Sequence, residues 1–201
     1  MNLKSCYTPD IVEAGLDEAG RGCLAGPVYA AAVILPPDYV NERLNDSKQL
    51  TAHQRNRLRE EIQRDAVCYA VASSTAQEID QINILRASIL AMHRAVDKLS
   101  VRPQALIVDG NRFTPYHDVP HTTIIHGDAT YLSIAAASIL AKTYRDDFMA
   151  DLHMQYPQYH WDCNAGYPTK AHRQAIAEYG LSPFHRVTFR QLPDPQLPLQ
   201  F

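Results

Sequence analysis

The stretch GLDEAGRGCLAGPVYAAAVILP, Gly15 to Pro36, decides how this chain is read. Its two ends belong to short β-rich runs, Ile11 to Glu18 and Pro27 to Leu35, and the glycines of AGRGCLAG between them punctuate a tight connection. Gly20-Arg21-Gly22 with Gly26 superficially matches a dinucleotide-binding fingerprint, but that fingerprint must open a helix, and here the β-rich PVYAAAVIL follows. No Gly-Lys-Ser/Thr is present to make a Walker loop. What such a loop can do is bring backbone N–H and C=O groups close to a sugar or phosphate, since no Cβ stands in the way.

Outward from this stretch, the charged segment Thr51 to Arg64 reads as a helix and Ala66 to Ser73 as a third strand. Asn83 caps a helix over Ile84 to Leu99, whose small and apolar residues recur at helical spacing until Arg102 and Pro103 end it. ALIVDGN then reads as a buried strand stopping at Asp109, Thr122 to Ile125 as a short β-branched run, and Gly127-Asp128 as a turn. A long helix follows from Ala129 to Tyr156, beginning with small residues and ending charged. Pro157 breaks it, Thr169 to Tyr179 forms the last helix with Gly180 as its stop, and the prolines from Pro193 onward make a flexible tail. The order of elements predicts an α/β domain: meandering strands, then strand and helix alternation, then a helical C-terminal appendage.

Two hundred and one residues fit one domain with a core that needs no staples, and 46% hydrophobic with 20% charged residues excludes disorder, collagen and coiled coil. The longest apolar stretch, Val28 to Leu35, is far short of the roughly 20 residues that cross a bilayer. The first residues contain no apolar run before Asp10 and Glu13, so the expectation is no secretory signal and a cytoplasmic protein. Cys6, Cys23, Cys68 and Cys163 form no CxxC pair and read as reduced, mostly buried thiols. His153, His160, Cys163 and His172 are near in sequence, but their spacing matches neither a zinc finger nor HExxH. The net charge of −3 advertises no nucleic acid, yet Ala165 to Arg190 holds Lys170, Arg173, Arg186 and Arg190 against Glu178 alone. Such a patch can engage phosphates on an anionic protein, although by itself it reads equally well as a solvated helix face.

Most acidic residues, such as Glu60, Glu61 and Asp97, are explained by solvated helices. Three places are not: Asp17-Glu18 ends a strand-like run before the glycines, Asp109 ends ALIV, and Asp128 leads into an almost wholly apolar helix. Strand ends in an α/β sheet meet at one edge, where loops carry binding and catalytic groups. Four carboxylates converging there repel one another unless cations neutralise them, and oxygen-rich sites suit Mg²⁺ or Mn²⁺. Read singly, Asp109 and Asp128 are equally turn or N-cap residues; together, beside the glycine loop, they point to a metal site. Neighbouring residues on a regular strand face opposite ways, so Asp17 and Glu18 share a site only if the strand ends or bulges there.

The segments Gly15 to Pro36, NDSKQL (Asn45 to Leu50), INILRASILAMHRAV (Ile82 to Val96), LIVDGN (Leu106 to Asn111), GDATYLSIAAASILAKTYRD (Gly127 to Asp146) and GYPTKAHRQAIAEYGLSPFHRVTF (Gly166 to Phe189) closely resemble bacterial ribonuclease HII, the type 2 ribonuclease H. The resemblance implies an RNase H-like mixed β-sheet flanked by helices with a helical C-terminal extension. It divides the chain into a catalytic domain over 1–156, a substrate-binding helical region over 157–192 and a tail over 193–201. It further implies that Asp17, Glu18, Asp109 and Asp128 are the catalytic carboxylates and the ligands of two Mn²⁺ or Mg²⁺ ions. Gly20, Arg21 and Gly22 would contact the 2′-hydroxyl of the recognised ribonucleotide, and Tyr167 would pack at the adjoining deoxyribose. Ser47, Lys48, His185 and Arg186 would lie near the phosphates. One position departs: the residue before Gly127-Asp128 is commonly Lys in the family and is His126 here, so a lysine-borne charge is not implied at that spot.

The activity implied is cleavage of the RNA strand of RNA/DNA hybrids and incision 5′ of ribonucleotides embedded in duplex DNA, by a monomer, leaving 3′-hydroxyl and 5′-phosphate ends. Two alternatives stand beside it. A non-catalytic hybrid-binding relative predicts a broken carboxylate set, whereas all four positions are intact, and a small-molecule phosphoesterase would not need the glycine loop or Tyr167. The sister ribonuclease HIII usually carries an extra N-terminal binding domain, and only about fourteen residues precede Gly15. The last six residues, Gln196 to Phe201, fit QxxLxF, a pattern like a bacterial sliding-clamp peptide with Leu199 and Phe201 as apolar anchors.

Overall fold

The computed structural model describes residues 3–44 and 50–192. Three strands come first in the sheet's frame: β1 (Glu13–Ala19), β2 (Val28–Ile34) and, after helix α1 (Ala52–Asp65), β3 (Cys68–Ser74). Helices α2 (Ala76–Ile82) and α3 (Ile84–Asp97) lead to β4 (Ala105–Asp109) and β5 (His121–Ile124). The long α4 (Leu132–Gln155) and the short α5 (Trp161–Asn164) and α6 (Lys170–Tyr179) are the last helices among the described residues. The strands form one sheet in the order β3-β2-β1-β4-β5. β1 is antiparallel to β2 and parallel to β4, so the sheet is mixed, as expected.

Alternation along the strands sorts the core into two layers. Ala14 and Leu16 of β1, Val28, Ala30 and Ala32 of β2, and Leu106 and Val108 of β4 pack with Ala87, Ala91, Met92 and Ala95 of α3. On the other face, Ala31 and Val33 meet Ala135, Ala136, Ile139 and Leu140 of α4, with Leu58 and Ile62 of α1 behind them. The small residues opening α4 let it lie almost on the sheet: a Cβ added at Gly15 would stand 2.4 Å from the backbone carbon of Ser133. A third cluster, with Trp161 1% exposed against Tyr159, Met149, Leu152 and Leu24, seats the C-terminal region on the β1–β2 loop. Truncating a buried tryptophan of this kind costs about 3–5 kcal/mol, so this seat is strong.

Caps set the helix limits where the sequence predicts them. Asn83 Oδ1 accepts from the amide of Arg86 at 3.1 Å, Thr169 caps α6, and Gly180 at φ 77° stops it. Beyond shifts of a residue or two, three features differ from the sequence reading. β1 starts at Glu13 rather than Ile11, because the Glu13 carboxylate accepts the amides of Tyr7 and Thr8 and ties the preceding segment into a turn. The helix expected from Ala129 is a 3₁₀ turn over Gly127–Ala129 followed by α4, separated by extended backbone at Tyr131. Helix α2 was not expected; it is set by a capping box between Thr75 and Glu78. Cys23 and Cys68 are buried, Cys163 is exposed, and all four thiols are free. Among the described residues, no helix is long and apolar enough to cross a membrane.

Candidate active site

Pairing between β1 and β4 ends at Leu16 with Val108, so Asp17 and Asp109 stand side by side one residue further on. Both follow residues of the α3-facing set and therefore turn towards α4, where Ser138 hydrogen-bonds Asp17. Glu18 keeps to the α3 side, lining a cleft of about 200 Å³ with Leu85, Ser88, Asp109 and Asn111. The register with β2 runs unbroken through Ala19, so there is no bulge. Glu18 and Asp17 reach a common site because β4 stops at Asp109 and leaves their side of β1 open. Asp109 Oδ1 accepts the amide of Gly127 at 2.8 Å, which holds the buried Asp128 one residue from that contact.

Burial and mutual repulsion dominate this cluster. Asp17, 5% exposed, has its carboxyl raised well above the usual carboxylate range, first by burial and then by the charges of Glu18 and Asp109. The Glu18 amide donates to Asp17 Oδ1 at 2.7 Å and works the other way without cancelling that rise. Burial and Asp109 also push Glu18 up, against the pull of Arg21, whose Nη1 lies 3.0 Å from Glu18 Oε1. Among the described residues, no three His, Cys, Asp and Glu side chains already form a closed ligand set. The fit to divalent ions lies in the donors, which are all carboxylate oxygens, and in the crowded negative charge that a cation would relieve.

The glycine loop runs beside these carboxylates, and two buried arginines clamp it from beneath. Arg186 gives Nε to Gly26 O at 2.9 Å, Nη1 to Arg21 O at 2.9 Å and Nη2 to Gly20 O at 2.7 Å. Arg145 reaches the carbonyls of Pro27, Ala25 and Ala165. Gly20, at φ +96°, has no room for a side chain, since its Cβ would meet Arg145 Nε at 2.0 Å. The C-terminal segment joins from the other side: Leu24 N donates to Gly166 O, Gly26 N to Phe184 O and Arg186 N to Leu24 O. Arg21 and Gly22 stay exposed at the tip. Tyr167, 40% exposed, adjoins the loop, with Cys23 near its hydroxyl and its ring 6.0 Å from the Arg145 guanidinium.

Asp17, Glu18 and Asp109 thus stand beside the glycine loop, and Tyr167 adjoins that loop through Arg145. His185 and Arg186 correct the expectation of phosphate contacts: they are 2% and 0% exposed, and the Arg186 fork is fully taken by loop carbonyls, so they hold the loop from within. Ser47 and Lys48 lie outside the described residues, as does the tail Gln196 to Phe201. Of the four residues weighed for zinc, His172 is buried against Trp161, while His153 faces Asp162. Sequence reading missed Arg145, Ser138 and Asp80. Ser138 was visible as a lone hydroxyl among alanines, but Arg145 reads as an ordinary helix cation. Asp80 of α2 accepts the amides of Val187 and Thr188 and so anchors the segment that carries Arg186.

Residues 14–192 match the family model described as Ribonuclease HII. A ribonuclease HII of Bacteroides thetaiotaomicron is 68% identical over 192 residues, covering 96% of either chain. Among solved structures, ribonuclease H2 from Pyrococcus horikoshii superposes with a TM-score of 0.74 at 27% identity, over 89% of this chain and 94% of that one. The RNase HII of a PCNA:RNase HII complex from Archaeoglobus fulgidus gives 0.72 at 24% identity, over 93% and 98%.

Proposed function

Since the chain belongs to the ribonuclease HII family and is therefore a ribonuclease H, we propose that its acidic edge cuts the RNA strand of RNA/DNA hybrids and incises duplex DNA 5′ of embedded ribonucleotides. The observation that carries this reading is the convergence of Asp17, Glu18 and Asp109 at the end of β4, beside the exposed tip of a clamped glycine loop. Asp17, Glu18, Asp109 and Asp128 are the ligands in this proposal. They would hold two Mg²⁺ or Mn²⁺ ions, whose chemistry there would be to activate water for in-line attack on phosphorus and to stabilise the leaving 3′-oxygen.

The chain's own residues supply selection and orientation. Backbone groups of Gly20, Arg21 and Gly22 hydrogen-bond the 2′-hydroxyl, which distinguishes RNA from DNA where base pairing cannot. Because Arg186 and Arg145 fix the carbonyls around the loop, those groups are held ready and lose little freedom on binding. Tyr167 packs on the neighbouring deoxyribose and favours an RNA-to-DNA junction. Lys170, Arg173 and Arg190, with Ser47 and Lys48, serve the phosphates of the duplex, and the affinity they add falls with salt. The enzyme acts as a cytoplasmic monomer that removes RNA and misplaced ribonucleotides from DNA. Its tail, Gln196 to Phe201, docks on a sliding clamp; the PCNA complex of the archaeal relative lends this support. Equal clamp affinity with and without those six residues would refute that part.

Cleavage of a labelled DNA duplex bearing one ribonucleotide tests the proposal. A nick on the 5′ side leaving a 3′-hydroxyl, dependent on Mg²⁺ or Mn²⁺ and abolished by EDTA, is expected. Binding without any cut by folded protein would favour the non-catalytic hybrid-binding alternative.

A further inference from the structure

Beneath Tyr167 the structure holds a buried chain of imidazoles whose ring tautomers follow from the fixed donors and acceptors around them. Trp161 Nε1, a donor only, lies 3.0 Å from His172 Nε2, so that nitrogen accepts. His172 Nδ1 lies 2.9 Å from the carbonyl of Tyr167, an acceptor only, so that nitrogen carries the hydrogen. The amide of Ser182 donates to His185 Nδ1 at 2.9 Å, with the Ser182 hydroxyl also 2.9 Å from that nitrogen, which places the His185 hydrogen on Nε2, 3.2 Å from His172 Nε2. Both rings are therefore neutral, and the bonds run in one direction: Ser182 to His185, His185 to His172, His172 to the Tyr167 backbone. Burial holds both imidazoles below their ordinary pKa, His185 to about 4.

The chain begins in the segment that carries Arg186 and ends at the residue adjoining the glycine loop. His172 is fully buried in the first turn of α6, and its own amide is capped by Thr169. The Tyr167 carbonyl needs no such partner for stability, since it also accepts the amide of Thr169 at 2.8 Å. The second bond adds direction: it fixes the peptide that carries the Tyr167 ring, which lies 6.0 Å from the Arg145 guanidinium that holds the loop.

We propose that His172 is a positioning residue for substrate choice, holding Tyr167 through its Nδ1–H so that an RNA-to-DNA junction is preferred over uniform RNA. The inference rests on the reading of Tyr167 as the deoxyribose contact. Two near-isosteric variants separate positioning from packing. His172→Asn keeps a donor where Nδ1 stands and loses the acceptor for Trp161 and His185. His172→Gln keeps an acceptor where Nε2 stands and loses the donor to Tyr167. A purely structural role predicts that His172→Asn is the more damaging, since it strands two buried donors.

The experiment compares kcat and KM on a DNA duplex with an RNA-to-DNA junction and on an all-RNA strand paired to DNA, for wild type, both variants and Tyr167→Ala. Expected is a fall of about five- to tenfold in the junction preference for His172→Gln, the worth of one hydrogen bond, mostly through KM. His172→Asn, although less stable to urea, keeps most of the preference. An unchanged preference in His172→Gln, with Tyr167→Ala losing it, overturns the inference alone; an unchanged preference in Tyr167→Ala overturns the reading beneath it. Imidazole ¹⁵N spectra of the wild type give a test that needs no variant. The Nδ1–H form at His172 with the Nε2–H form at His185 is expected, and the reverse at His172 refutes the chain.

Discussion

Replacing Arg186 by lysine keeps a buried cation and removes the fork. In the wild type three nitrogens meet the carbonyls of Gly26, Arg21 and Gly20 at 2.9, 2.9 and 2.7 Å, with no part of the residue exposed. A lysine ammonium is a compact point of charge at the end of a flexible stem and serves at best one of three carbonyls spread around a planar fork. Two carbonyls then lose a charge-assisted hydrogen bond, Gly20 O keeping only the 3.4 Å bond from the Cys23 amide, at roughly 1.5–3 kcal/mol each, for a loss of about 3–4 kcal/mol. With a urea slope of about 2–3 kcal/mol/M, the unfolding midpoint falls by about 1–2 M at unchanged slope. Arg102→Lys, which touches only the ion pair to Asp118 where both side chains are largely exposed, leaves the midpoint where it is. Since the loop those carbonyls anchor is the proposed 2′-hydroxyl contact, kcat/KM for a single ribonucleotide falls as well. An Arg186→Lys midpoint within about 0.3 M of wild type would refute the reasoning, because it would mean the fork is not what satisfies the loop.

Three further predictions concern the core, the buried imidazoles and the acidic edge. Gly15→Ala drives a Cβ to 2.4 Å from the backbone of Ser133 and 2.5 Å from Ile134 N, so a loss of roughly 3 kcal/mol or insoluble protein is expected; a wild-type melting curve would contradict the close approach of α4. His185, at about 4 against an ordinary 6.5, binds its proton less readily folded than unfolded. Its contribution is therefore complete above pH 6.5 and is lost as pH falls towards 4, by roughly 3 kcal/mol in all. The difference between wild type and His185→Gln isolates it from Asp17 and Glu18, whose raised carboxyls act in the opposite sense, and a pH-independent difference would sink the assignment. Asp17→Asn relieves a desolvated charge beside Glu18 and Asp109, so in chelator the variant melts about 2–4 °C higher while losing incision. Mn²⁺ then raises the wild-type melting temperature more than the variant's; a variant that melts lower in chelator would count against charge crowding.

The fold was legible wherever period and punctuation agreed. The β-rich runs of β1 and β2, the small-residue stripe of α3, its cap at Asn83 and the stop of α6 at Gly180 all declare themselves locally, because each depends on residues close in sequence. Helix α2 was overlooked because seven residues, AQEIDQI, carry too little periodicity; its signal is the Thr75–Glu78 capping box alone. The acidic residues could be singled out because carboxylates at strand ends lack a structural excuse. How Asp17 and Glu18 approach one site could not be read, since it depends on where a different strand, β4, stops. His185 and Arg186 mislead for a similar reason: a cation and an imidazole in a basic segment look like phosphate ligands until the tertiary fold buries them among loop carbonyls. Arg145 was invisible because nothing in its helix announces that its partners lie more than a hundred residues earlier.

The central claim, that Asp17, Glu18, Asp109 and Asp128 act as one catalytic set, is tested most directly by their four single amides. Asp17→Asn, Glu18→Gln, Asp109→Asn and Asp128→Asn, each shown to be folded, are assayed for incision of the one-ribonucleotide duplex under single-turnover conditions with saturating Mn²⁺. Each is expected to lose at least about a hundredfold in rate, the usual effect of removing one group directed at transition-state charge, while still binding the duplex. A folded variant that cuts at the wild-type rate would remove that residue from the set, and two such variants would contradict the site itself.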